Sequence, residues 1–162
     1  MFRAALAALD PLDVPPIKRP LLQCLPDLRY WGIGKIVLAH VIHDPHGQNA
    51  SAAHKKSYSD ELEQCAKPLR ECGTDVAAVV RDSSGAAEDI LAVARENSAD
   101  LIVIDSRSQD IITKLFLGRV ARELIRTTKI PLKTLLHISQ HTTHLPRLHR
   151  FRWLHQHNPS LN

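Results

Sequence analysis

Five apolar runs of strand length recur along the sequence, and segments with helical periodicity separate most of them. Strands are predicted over residues 2–9, 35–42, 74–80, 100–105 and 130–136. Alternation of strand-length apolar runs with helical patterns is typical of βαβ units and a parallel sheet. Continuous runs such as KIVLAHVI and LIVI predict strands that are covered on both faces. The sequence therefore predicts an α/β fold built on a parallel sheet.

Helical segments are expected to fill the gaps between these strands. They are predicted over residues 17–30, 59–72 and 86–97, with a fourth that begins at Gly118. Pro26 conflicts with the first helix, because proline has no N–H and clashes with the preceding turn, so a kink or a break is predicted there. Gly73 is suited to the left-handed end of the second helix, which Pro68 should distort. The polar segment 43–57 is expected to be a mobile loop.

Length and charge indicate one domain followed by a tail. A chain of 162 residues, 44% of them hydrophobic, is long enough for one α/β domain with a core and too short for two typical domains. We place the domain at residues 1–137 and a basic, histidine- and arginine-rich tail at 138–162. All 17 Asp and Glu precede the tail, so the body carries 18 of the 21 Lys and Arg against 17 acids, a net charge of +1. This balance does not favour a dedicated nucleic-acid surface.

Cysteine content and hydropathy indicate a reduced, cytoplasmic protein. The three cysteines, Cys24, Cys65 and Cys72, form no CxxC pair, and we interpret them as reduced thiols. No stretch approaches the ~20 apolar residues of a membrane-spanning helix. The opening FRAALAAL is followed by a proline-rich loop instead of a small-residue cleavage site, so a buried strand is predicted there and not a signal peptide.

The ten histidines raise the question of a metal site. His40, His43 and His46 cluster after the second strand, with Asp44 beside them. Zinc sites need three or four ligands in tetrahedral geometry, and this spacing matches no recognised pattern, so no physiological metal is expected. The sequence also contains no Walker, HExxH or GxSxG motif, and it gives catalysis little support.

The tail suggests a further class of function. It interleaves arginines with aromatic residues, a combination that can contact phosphates and stack bases. The residues concerned are Arg147, Arg150, Phe151, Arg152 and Trp153. A patch of this size is equally compatible with disorder or with docking on a protein surface, and we favour these over nucleic-acid binding. A tail-dependent nucleic-acid adaptor stays as an alternative, whose binding would fall steeply with salt.

The segment from Asp100 to Thr128 reads DLIVIDSRSQDIITKLFLGRVARELIRTT. It resembles the closing segment of the universal stress protein family, which reads roughly DLIVMGSRG, nine residues, then GS. Three further segments carry the resemblance in the same order: FRAALAALD, KIVLAHVI and the glycine-led third strand. The resemblance covers residues 2–136. It implies a doubly wound, five-strand parallel sheet in the order 3-2-1-4-5, with helices on both faces.

The resemblance also locates a phosphate loop that has diverged. In the family, the loop glycines and the serine wrap the phosphates of ATP, and the glycines separate ATP binders from non-binders. Here Asp105 and Ser108 replace the two loop glycines, Gly118 keeps the third, and Arg119 replaces the serine. A carboxylate about 4 Å from a phosphate charge would cost on the order of 4 kcal/mol at an effective dielectric near 20. Strong ATP binding is therefore not expected.

Two roles of Arg119 stay open. Its guanidinium could clamp a phosphate at the start of the last helix, or it could pair with Asp105 and fill the empty phosphate site, which is the role we favour. The resemblance assigns Asp10 to the adenine end of the nucleotide and Val41 to a backbone contact with the base. The adenosine half of the site is thus kept, and AMP or adenosine would be disfavoured less than ATP.

The resemblance implies a cytoplasmic stress-response regulatory protein that acts by dimerisation and partner association, with weak or no ATP binding. No cofactor is expected, and ATP or AMP is the candidate ligand. The family pairs its last strand across a dimer axis, which assigns a homodimer interface to the strand from Ile130 to Leu136, where Lys133 and Thr134 interrupt the apolar run. The alternative is an ATP- or AMP-binding member in which Arg119 replaces the usual phosphate contacts, with slow ATP hydrolysis as the one enzymatic option.

Overall fold

The computed structural model of this chain describes residues 1–9, 22, 25–43, 52–83, 85–106, 119–136 and 152–156. The strands in these ranges are β1 (Ala4–Ala8), β2 (Lys35–His43), β3 (Asp75–Ser83), β4 (Leu101–Ser106), β5 (Leu132–Leu136) and β6 (Arg152–Gln156). The helices are a 3-10 helix (Leu25–Trp31) and the α-helices α1 (Ala52–Glu71), α2 (Ala86–Glu96) and α3 (Arg119–Thr127). No helix in the described ranges combines the length and apolarity needed to cross a membrane.

The strands form one sheet in the order β3-β2-β1-β4-β5-β6. The first five pair in parallel, which confirms the predicted order 3-2-1-4-5 and the α/β class. β6 adds a sixth strand, antiparallel to β5. Its residues belong to the tail for which loose packing or docking is expected, so this part of the tail is docked on the edge of the sheet.

Two apolar layers cover the sheet, one on each face. On the first face, the 3-10 helix and α1 pack on the strands through buried leucines that include Leu25, Leu28 and Leu62. On the second face, α2 and α3 pack through residues that include Ile90 and Leu124. Alternate residues of β1 and β4 reach the two layers, as expected for strands covered on both sides. This double cover fixes the central strands and leaves their carboxyl ends as the place where a ligand could approach.

A carboxylate fastens the amino ends of β1 and β4 to each other. Asp100 accepts hydrogen bonds from the backbone N–H of Arg3, at 2.8 and 3.0 Å, and from the N–H of Ala4, at 3.0 Å. The N–H of Asp100 in turn donates to the carbonyl oxygen of Ala4 at 2.9 Å. Because β1 and β4 are far apart in the sequence, this clamp sets their alignment at the end of the sheet opposite the carboxyl ends.

The first helix differs in type from the prediction. Residues Leu25–Trp31 form a 3-10 helix instead of the end of an α-helix over 17–30, and residues 17–21, 23 and 24 of that prediction lie outside the described part of the chain. Pro26 lies at the second position of this 3-10 helix, where an N–H has no acceptor within the helix and its absence is tolerated. Inside an α-helix over 17–30 the same proline would have removed a hydrogen bond. Gly32 follows the helix with a φ of 84°, a left-handed conformation that favours glycine.

α1 is longer than predicted and absorbs part of an expected loop. It begins at Ala52, so residues 52–57 are helical and the prediction of a loop over 43–57 is wrong for them. Alanine and lysine make up most of this stretch, and both are strong helix formers despite the polarity of the segment. The helix continues through Pro68, which is exposed, and Gly73 follows its end with a φ of 79°, as predicted.

β5 carries a buried lysine. Lys133 is 7% exposed, and its ammonium lies 2.9 Å from the centroid of the Trp31 ring. Trp31 packs against the first apolar layer at the end of the 3-10 helix. Burial lowers the pKa of Lys133. The lysine that interrupts the apolar pattern of β5 is thus a cation–π anchor between that strand and the 3-10 helix.

We expect Lys133 to make the folded state more stable as the pH rises in the alkaline range. Its folded-state pKa lies below that of the unfolded chain, so between the two values the unfolded chain binds the extra proton. The free energy of unfolding then increases with pH, by at most about 1.4 kcal/mol per pH unit. Below the folded-state pKa both states are protonated, and the cost of burying the charge is fully present.

Urea unfolding from about pH 8 to pH 10.5 measures this effect, since 10.5 is the ordinary pKa of lysine. The variant Lys133→Met should show a smaller rise in stability than the wild type, because the buried titrating group is gone. Lys129→Met removes an exposed lysine four positions earlier and should keep the wild-type rise. If the free energy of unfolding rose equally with pH in the wild type and in Lys133→Met, burial of Lys133 would not be the cause of the rise.

Candidate functional site

The order of the strands reverses at β1. This strand pairs with β2 on one side and with β4 on the other, and the later strands continue outward from each of these neighbours. In open parallel sheets, such a switch point forms a crevice at the carboxyl ends of the strands in which ligands bind. The candidate site is therefore the carboxyl edge of β2, β1 and β4.

The carboxyl end of β1 is held by a backbone bond and by a buried histidine. The N–H of Leu9 donates to the carbonyl oxygen of Ala39 at 2.8 Å. The carbonyl oxygen of Leu9 accepts a hydrogen bond from Nδ1 of His40 at 2.9 Å. His40 is 2% exposed, and its ring centroid lies 4.6 Å from that of Tyr58 on α1. The strand end that leads to Asp10 is thus fixed to β2 and, through the two rings, to α1.

This arrangement gives His40 a different role from the one its neighbours in the sequence suggest. The sequence groups His40 with His43 and His46, whereas the structure places its ring between the end of β1 and Tyr58. Among the described residues, no three His, Cys, Asp or Glu side chains are grouped so that they could hold a metal ion. A single polar residue inside the apolar run KIVLAHVI is the signal that points to a buried, hydrogen-bonded histidine.

Val41 and Asp105 lie at the same edge of the sheet, on opposite sides of β1. Val41 is half-buried on β2, beyond the residues of β2 that pair with β1. Asp105 follows Ile104, which pairs with Ala8, so it lies one position beyond the last β1–β4 pair. β2 and β4 are two strand spacings apart, roughly 10 Å. A nucleoside can bridge that span.

The remaining predicted site residues lie outside the described part of the chain. They are Asp10, Ser108 and Gly118, together with the side chain of Asp105. Their contacts with a nucleotide, and the ion pair between Asp105 and Arg119, stay predictions. The backbone of Asp105 is described, and it pairs in register with Leu135 of β5. The backbone of Asp105 thus belongs to the last part of a paired strand.

Arg119 is the first residue of α3 and is exposed. It shares the exposed side of the helix with Arg122 and Arg126, while Leu124 is buried in the core, as the amphipathic pattern predicts. An open cavity of about 690 Å³ is lined by Arg119, Arg122, Glu123, Arg126 and Thr127. The start of α3 combines the guanidinium of Arg119 with the positive end of the helix dipole. An anion is therefore favoured at this end of the helix.

The chain is similar to proteins of one family. The model of the universal stress protein family matches residues 31–133. The solved structure of a universal stress protein from Archaeoglobus fulgidus is 21% identical, with 83% of this chain and 98% of that chain covered and a TM-score of 0.64. The universal stress protein from the same organism in complex with dAMP is 20% identical, with 82% and 96% covered and a TM-score of 0.59.

A universal stress protein in complex with cAMP gives a similar result, at 18% identity, with 85% of this chain and 99% of that chain covered and a TM-score of 0.58. At these identities, the likeness shows the shared fold. No protein with a curated description matches the chain. The family match and the structural matches agree with the strand order and helical layers described above.

Proposed function

This chain belongs to the universal stress protein family, and we propose that it is a stress-response regulatory protein that acts by association and binds ATP weakly or not at all. The observation that carries this proposal is the residue at the end of β4. Asp105 lies at the switch point, one position beyond the pair of Ile104 with Ala8. It brings a carboxylate and a Cβ to a place where a triphosphate needs close approach of backbone N–H groups.

Electrostatic repulsion supports weak binding of ATP in particular. Two like charges about 4 Å apart repel by on the order of 4 kcal/mol at an effective dielectric near 20. A third of that value would still lower affinity about tenfold. AMP carries fewer negative charges and extends less far past Asp105, so it is the better ligand of the two.

The adenosine half of the site supports a monophosphate ligand. Val41 lies half-buried across β1 from Asp105, where the adenine end of a nucleotide can be received. Two of the similar proteins were solved with dAMP and with cAMP, and both ligands are adenine monophosphates. We propose AMP as the nucleotide that this chain binds in preference to ATP.

A second candidate function is suggested by the position of Arg119. Its exposed guanidinium lies at the first residue of α3, next to a cavity that two more arginines line. A phosphate group bound there would gain charge-assisted hydrogen bonds and the favourable helix dipole. In this alternative, the protein binds ATP or AMP, and Arg119 compensates for the missing glycines.

Calorimetric titration of the purified protein, stripped of nucleotide, tests the two candidates. In the presence of magnesium, we expect AMP to bind at least tenfold more tightly than ATP. Micromolar binding of ATP would overturn the proposal in favour of the second candidate. In that case Arg119→Ala should weaken ATP binding, whereas Arg95→Ala, which removes an exposed arginine in the last turn of α2, is the matched control.

The last part of the proposed function is association with other protein chains. We propose that the protein acts in the cytoplasm and that one of its partners is a second copy of the chain. The proposed contact surface is the edge of β5 (Leu132–Leu136), within the segment to which the family resemblance assigns dimerisation. In this structure β6 pairs along that edge, so any partner at this surface competes with β6.

A further inference from the structure

The backbone of β5 presents alternate residues to its two neighbours. The N–H of Ile102 on β4 donates to the carbonyl oxygen of Pro131 at 2.9 Å, and Ile102 pairs in register with Leu132. In a parallel ladder, this pattern directs the backbone groups of Pro131 and Lys133 toward β4. The backbone groups of Leu132 and Thr134 therefore point away from β4, toward the opposite edge.

β6 occupies this opposite edge along its full length. Leu132 pairs with Gln156, Thr134 with Leu154, and Leu136 with Arg152. Because the backbone of Thr134 points toward β6, the register makes Thr134 and Leu154 a hydrogen-bonded pair of the antiparallel ladder. The neighbouring residue of β6, Trp153, then directs its own N–H away from β5.

β6 resembles, in length and direction, the strand that a second copy of this chain would supply. β5 and β6 are each 5 residues long, and they run antiparallel. A strand can pair antiparallel with its own copy about a two-fold axis, which is the commonest symmetry of homodimers. An uncovered edge strand exposes a row of unpaired N–H and C=O groups that readily pair with another chain.

We propose that β6 is a removable cover of the β5 edge, and that release of β6 allows β5 to pair with β5 of a second copy. This inference rests on the association part of the proposed function. β6 belongs to the same chain and is joined to β5 by residues 137–151, so its effective concentration at the edge is about millimolar. At micromolar protein concentration, β6 excludes the second copy, and this chain of 18.1 kDa is a monomer.

Proline substitutions in β6 test whether β6 covers the edge of β5. Leu154→Pro deletes an N–H that faces Thr134, whereas Trp153→Pro deletes an N–H that faces away from β5. The two variants differ by one position in the same strand and are therefore matched. Analytical ultracentrifugation over a hundredfold range of concentration measures the mass of each, and far-UV circular dichroism verifies that each is folded.

We expect the wild type and Trp153→Pro to be monomers and Leu154→Pro to form a dimer whose fraction rises with concentration. Adding Thr134→Pro to Leu154→Pro should restore the monomer, because it removes an N–H of β5 that points to the free edge and not to β4. If Leu154→Pro fails to fold, Gln156→Pro serves in the same comparison. Gln156 pairs with Leu132, whose backbone groups also point away from β4 and toward β6.

Three results would overturn the inference. They are a wild type that is already dimeric at low micromolar concentration, a folded Leu154→Pro that stays monomeric, and a Leu154→Pro that forms open aggregates instead of dimers. The readout is the mass of nucleotide-free protein, so it is independent of ATP and AMP affinity. A dimeric wild type would overturn the cover while leaving association intact, and a monomeric Leu154→Pro would overturn pairing through β5 itself.

Discussion

Replacement of Asp105 and Ser108 by glycine is expected to raise the affinity for ATP more than tenfold. Asp105 lies one position beyond the last β1–β4 pair at the switch point, and its removal should relieve a repulsion on the order of 4 kcal/mol at about 4 Å. Glycine at both positions also restores the conformational freedom that a loop needs to wrap phosphates. Calorimetric titration of the double variant with magnesium and ATP, next to the wild type, measures the gain.

Two control variants identify the source of this gain. Asp105→Asn keeps the size of the side chain and removes its charge, so it should recover the electrostatic part alone. Ser108→Gly keeps the carboxylate of Asp105 and should gain little. A double glycine variant that is folded and still gives no heat with ATP would contradict the role assigned to Asp105, because neither charge nor Cβ would then remain in the way.

Replacement of Asp100 by alanine is expected to lower the free energy of unfolding by about 2–3 kcal/mol. Its carboxylate receives the N–H groups of Arg3 and Ala4 at 2.8 to 3.0 Å. Hydrogen bonds to a charged group contribute roughly 1.5–3 kcal/mol, and alanine leaves two backbone donors at the start of β1 without an acceptor. Urea unfolding followed by circular dichroism measures the loss.

Asp100→Asn and Asp60→Ala are the controls for this prediction. The asparagine keeps one acceptor oxygen and the size of the side chain, so we expect about half of the loss. Asp60 is exposed on α1, and its replacement should change stability by no more than about 0.5 kcal/mol. A loss of that small size in Asp100→Ala would show that water replaces the carboxylate at little cost and that the clamp does not align β1 with β4.

The parallel sheet could be predicted because its central strands are mainly apolar runs. The runs that became β2 and β4 are buried on both faces, and such runs are visible in the sequence without their partners. β6 could not be predicted in this way. It is an edge strand whose pairing depends on the free backbone groups of Leu132 and Thr134, and that information belongs to the tertiary structure.

The same distinction applies to the candidate site. Val41 and Asp105 could be placed at one edge, because each lies at the end of an apolar run whose direction is fixed by the parallel sheet. The sequence marks His40 as a polar residue in an apolar run, but it does not identify the partner of that residue, because the acceptor is the backbone carbonyl of Leu9, 31 residues away. The helical state of residues 52–57 is hidden for a third reason, because the polarity of this segment is typical of a loop although its alanines and lysines are strong helix formers.

The central position of β1 has a consequence for synthesis on the ribosome. β1 is completed before either of its neighbours, and its partner on one side, β4, begins at Leu101. At roughly 5–20 residues per second, the ribosome needs on the order of 5 to 20 s to pass from β1 to the end of β4. Throughout that interval one edge of an apolar strand has no partner strand. Such an edge pairs readily with other chains, so the strand order itself exposes the nascent chain to aggregation.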